Sequence, residues 1–128
     1  ISMGGRSMQL GLPDGRTWSL PFSAFTGADV LRNSAGSWPD QIRACAEMYA
    51  SRCAAEQEAQ GLPTFSGTFA GVTDTMDVAR AMKVTDRPMS AKDFLLHVAE
   101  FIKDLESGSP GHLNFIARVL AMQAVVQC

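Results

Sequence analysis

The sequence predicts a mainly α domain with a small antiparallel β element (α+β): an N-terminal β-hairpin packed on a bundle of about four helices, with the C-terminal helix at the centre. Three observations carry this. A turn signal, Pro13-Asp14-Gly15, separates two short segments with moderate apolar alternation. Long stretches with apolar residues at helical spacing follow it. The last stretch is apolar in nearly every direction around its axis, and such a helix belongs inside a bundle or in a subunit interface. At 128 residues the chain is expected to be a single domain, 1–128, with 1–7 a flexible start. A chain of this length buries enough surface to fold without a metal or disulfide staple.

The hairpin spans residues 8–21. Pro presets φ in its turn, Asp can bond back to the backbone, and Gly accepts positive φ. Met8, Leu10 and Leu12 share one face, with Trp18 and Leu20 on the returning strand. An isolated hairpin is marginal in water, so this one must lie on the helices. Thr26-Gly27-Ala28-Asp29 then suggests a capped single helical turn.

Ser37-Trp38-Pro39-Asp40 is a strong helix start, with Ser37 as cap, Pro39 in the first turn and Asp40 three residues after the cap. This helix should run to about Gln60 and stop at Gly61. Ile42, Cys45, Ala46, Tyr49 and Cys53 form its core face. Residues 61–73 lack helical periodicity and make a Gly/Phe loop carrying Phe65 and Phe69. A loop this long is often functional; a short strand around 68–72, added to the hairpin, is the competing reading. A helix capped by Thr73 or Asp74 should follow. Ser90-Ala91-Lys92-Asp93 then starts the next, with Phe94, Leu95, Val98, Phe101, Ile102 and Leu105 as its stripe. Ser107-Gly108-Ser109-Pro110 separates that helix from the last, whose one formal charge is Arg118.

Eleven Lys+Arg against thirteen Asp+Glu leave a net charge of −2, without the basic stripe that nucleic acid or an anionic membrane would require. No apolar run approaches the ~18 residues that span a bilayer, and residues 1–20 hold no signal-peptide core, so a cytoplasmic location is expected. Three cysteines without a C-x-x-C read as small buried thiols. Cys45 and Cys53 are eight apart on one helix, about 12 Å along its axis and too far to bridge. Cys128 reaches one of them only if the last helix packs there.

Candidate chemistry is sparse. Asp93, His97, Glu100 and Asp104 share a helix face, but no second cluster completes a metal site and a polar face is what an amphipathic helix shows to water. No metal or cofactor is therefore expected. None of the cysteines stands in a nucleophile motif beside His97 or His112, and the glycines form no phosphate loop. Arg118, charged among apolar residues, needs an anionic partner or the edge of the helix. Trp18, Phe22, Phe25, Phe65 and Phe69 lie in the hairpin, its exit and the loop, where aromatics serve either the core or a recognition patch.

The expected function is that of a small non-catalytic protein-binding domain (adaptor, inhibitor, immunity protein or assembly factor), with a protein partner or a second copy of the chain. The alternative is a small-molecule-binding domain or small enzyme with a pocket between hairpin and helices. Binding residues are expected among Trp18, Phe65, Phe69, Arg118 and Tyr49.

Overall fold

The structure, a computed structural model, describes residues 1–3, 6–63, 68–69, 89–107 and 113–128. Its elements run β1 (Ser2–Met3), β2 (Met8–Gly11), β3 (Thr17–Leu20), α1 (Ala24–Asn33), α2 (Trp38–Gln60), β4 (Thr68–Phe69), β5 (Met89–Ser90), α3 (Ala91–Ser107) and α4 (Leu113–Gln127). The α+β class read from the sequence is what the chain adopts.

The hairpin turn follows its residues. Gly15 N–H donates to the Leu12 carbonyl at 3.0 Å, and Leu12 N–H donates to the Arg16 carbonyl at 2.9 Å. Gly15 sits at φ 92°, where a side chain would be strained. These bonds close a three-residue hairpin loop, Pro13 to Gly15, whose last residue has positive φ. From there β2 and β3 pair antiparallel, Leu10 opposite Trp18 and Met8 opposite Leu20. Met8, Leu10 and Leu20 are buried, while Trp18 is half-buried against the same core. Ser2–Met3 adds a third strand beside β2, where the sequence predicts a flexible start.

The first helix corrects the sequence reading. It is a ten-residue helix rather than one turn, and its cap is Ser23 rather than Thr26. The Ser23 hydroxyl accepts from the backbone N–H groups of Phe25 and Thr26 at 3.1 and 3.3 Å. Gly27, expected in that single turn, lies inside α1 at a close approach. A Cβ there would stand 2.7 Å from that of Ala117 and 2.8 Å from Cε2 of Tyr49.

The start and stop of α2 agree with the sequence. Ser37 and Asp40 form a reciprocal capping box, Pro39 is in the first turn, and Gly61 ends the helix in the left-handed conformation at φ 66°. The Gln60 side chain donates to the Ser19 carbonyl at 3.1 Å, tying the end of α2 to β3.

Thr68–Phe69 is a strand, as the competing reading of the loop had it, but it pairs with Met89–Ser90 and not with the hairpin. The expected helix after residue 74 lies outside the described residues. Ser90 Oγ accepts from Asp93 N–H at 3.1 Å at the start of α3. On α3, Phe94 and Val98 are buried and Leu95, Phe101 and Ile102 half-buried. Phe101 meets Phe115 of α4 edge-on, centroids 5.7 Å apart.

The C-terminal helix is the centre. Nine of its fifteen residues are buried, and it packs most heavily on α1 and α2, then on α3. One core cluster joins residues from the hairpin and all four described helices. Among the described residues no helix is long and apolar enough to cross a membrane.

Candidate functional site

The hairpin register places Trp18 near the turn end of β3, two residues from Arg16 and on the same side of the strand. The Asp14 carboxylate takes both the backbone N–H of Arg16, at 3.0 Å, and its Nε, at 2.8 Å. These bonds hold the Asp14 carboxyl below its usual value, the backbone bond first. Restrained in this way, the Arg16 guanidinium lies over the Trp18 ring, 5.8 Å from the centroid. The indole is thus bounded by a cation on one side and by the core on another. Beside it is an open depression of about 450 Å³, lined by Ile1, Gln9, Leu10, Gly11, Thr17, Trp18 and Ser19.

The other sequence candidates fall elsewhere. Tyr49 is fully buried, and its hydroxyl donates to the Ser23 carbonyl at 2.6 Å. Its ring meets Phe22, centroids 5.9 Å apart. Burial pushes the phenol well above its ordinary value, followed by the field of nearby Cys45. Tyr49 therefore pins α2 to the start of α1 from within the core, in keeping with its expected place on the α2 core face. Arg118 is half-buried with Nε enclosed, close enough to Tyr49 to act on its titration. Phe69 falls in the short strand β4, and Phe65 lies outside the described residues.

The thiols are held protonated. Burial pushes Cys45 up to about 12, and its sulfur donates to the Gly27 carbonyl at 3.5 Å. Cys53 is likewise pushed up to about 12, by burial first and then by its side-chain hydrogen bond with Cys128. A nucleophilic cysteine needs the opposite shift. Among the described residues no group of three or more His, Cys, Asp or Glu side chains could hold a metal ion.

Sequence reasoning missed two features. Arg16 was unremarked, although Asp14-Gly15-Arg16-Thr17-Trp18 places a cation two residues from an indole, the same-face spacing of a strand. Gly27 was placed in a single helical turn without its close approach to Tyr49 and Ala117, since no local pattern announces a helix crossing. No family model matches the chain, and no curated protein or solved structure matches it significantly.

Proposed function

We propose that this chain is a non-catalytic protein-binding domain whose contact surface is the turn end of the hairpin, centred on Trp18 and Arg16. The observation that supports this reading is the restrained Arg16–Trp18 pair at the rim of an open depression. Trp and Arg are the residue types that most often dominate a protein interface once a partner excludes water from them. A guanidinium already held by Asp14 loses little rotamer freedom on binding, so less of the contact energy is spent on ordering. The same surface serves a protein partner or a second copy of the chain. The raised thiols of Cys45 and Cys53 weigh against covalent catalysis at those positions.

A small-molecule site is the second reading. About 450 Å³ is within the range of ligand pockets. Its opening to solvent and its uncharged side chains, Gln9, Thr17 and Ser19, would leave a small ligand poorly enclosed, so this reading ranks below the first.

A photo-crosslinking residue at the exposed Thr17, used in cells of the source organism, tests the proposal. A protein adduct that forms with Trp18 and is lost in Trp18→Ala, with the fold intact by circular dichroism, supports it. Equal adducts with both, or none with either, overturn it.

A further inference from the structure

The backbone of β3 carries a second recognition feature beside the Trp18 side chain. In the sheet order β1-β2-β3, β1 covers the outer edge of β2. Among the described residues no strand pairs with the far edge of β3. The turn fixes which way each backbone group of β3 points. Leu12 N–H donates to the Arg16 carbonyl, so these two residues are a hydrogen-bonded pair. Bonded pairs alternate along an antiparallel ladder, which makes Leu10–Trp18 and Met8–Leu20 the next two. Thr17 and Ser19 therefore aim their N–H and C=O groups away from β2. The Gln60 bond to the Ser19 carbonyl agrees, since it reaches β3 from that outer side. Thr17 and Ser19 are both exposed. Pro21, two residues further on, has no N–H and ends the row of donors.

We infer, resting on the docking surface proposed at Trp18 and Arg16, that the outer edge of β3 takes an extended segment of the protein partner as an added strand, and that Gln60 occupies this edge until the segment arrives. Outward N–H and C=O groups that repeat every about 6.7 Å match the backbone of another extended chain. A helix keeps its own backbone groups paired and could not satisfy them. Side chains alternate along an added strand, so every second one falls beside Trp18 and Arg16, whose contacts supply selectivity. The Ser19 carbonyl is already engaged in the free protein. Gln60 Nε2 donates to it at 3.1 Å and to the Glu56 carboxylate at 2.6 Å. Gln60 is exposed and keeps its bond to Glu56 when displaced. The exchange is therefore close to even: one side-chain donor leaves and one backbone donor takes its place. A second copy of the chain, pairing edge to edge, would have to displace two Gln60 side chains, whereas a partner segment displaces one.

A phage-displayed library of random linear peptides, selected on the full chain, supplies the probe, and fluorescence anisotropy measures the enriched peptides. Ser19→Pro removes an outward N–H where an edge strand accepts proline, so it should weaken peptide binding about tenfold with the melt unchanged. Ser19→Ala should bind as the parent chain does. Gln60→Ala should bind roughly threefold more tightly, because nothing need leave the Ser19 carbonyl. N-methylation of the peptide backbone needs no protein variant and decides the matter if Ser19→Pro fails to fold. It should weaken binding at every second peptide residue and spare those between. The inference is overturned if no linear peptide is enriched, if N-methylation shows no period of two, if a folded Ser19→Pro binds unchanged, if Gln60→Ala binds no more tightly, or if sedimentation shows the edge paired with a second copy. Peptides lost with Trp18→Ala but indifferent to Ser19→Pro and N-methylation would strike the added strand alone and leave the docking surface standing.

Discussion

Tyr49 shows how one side chain sets the distance between two helices. Its hydroxyl donates to the Ser23 carbonyl while its ring lies against the space where a Gly27 side chain would begin. Tyr49→Phe removes one of the two donors to that carbonyl, leaving the Gly27 N–H at 3.3 Å, and should cost about 1 kcal/mol in urea unfolding. Gly27→Ala sets two effects against each other. Helix propensity gains about 1 kcal/mol, but the added methyl meets Ala117 and the Tyr49 ring, neither of which can swing aside. Overpacking of this kind costs about 1–3 kcal/mol, so a net loss of stability is expected. The buried thiols fix the alkaline limb of the stability curve. Cys45 is raised from 9.0 to about 12 on folding, so above pH ~9 the unfolded state binds fewer protons than the folded state. Its contribution is fully present below pH ~9 and is lost as pH rises towards 12. Urea midpoints at pH 8, 9 and 10 should therefore fall with pH, and less steeply in Cys45→Ala.

At the scale of the element, caps and faces carry separable energies. Ser37→Ala removes half of the α2 capping box and should cost about 1 kcal/mol. On α4, Ile116 and Leu120 are each 1% exposed, and truncating either to Ala should cost about 2–5 kcal/mol. Leu96 on α3 is 58% exposed, and Leu96→Ala should stay within about 0.5 kcal/mol. Comparable losses at all three positions in thermal melts would mean that the outer face of α3 is covered by a partner.

For the whole molecule, the helices differ in how firmly they are held. α4 is enclosed by α1, α2 and α3, whereas the apolar stripe of α3 is half-buried at Leu95, Phe101 and Ile102. Amide hydrogen exchange should therefore be slowest in 116–126 and clearly faster in 99–104. Exchange at equal rates would show that α3 belongs to the same cooperative unit as α4. The hairpin is held at two levels, by buried Met8, Leu10 and Leu20 beneath and by Gln60 at its β3 edge. A partner docking at Trp18 would meet a surface fixed to the core.

Several features were legible in the sequence because each rests on neighbours along the chain. The Pro13-Asp14-Gly15 turn, the Ser37–Asp40 box, the stop at Gly61 and the central place of an all-round apolar α4 need only residues within a few positions of one another. The site was less legible. Trp18 could be named as a candidate, yet its exposure depends on how much of the ring the helices cover. Tyr49 could be placed on the core face of α2, but its bond to Ser23, 26 positions away, could not be read locally. The role of Gly27 could not be read locally because it is set by Ala117 on a distant helix. Local hydrogen bonds and periodicity determine where elements begin and end, whereas long-range packing alone decides which side chains meet and which stay open to a partner.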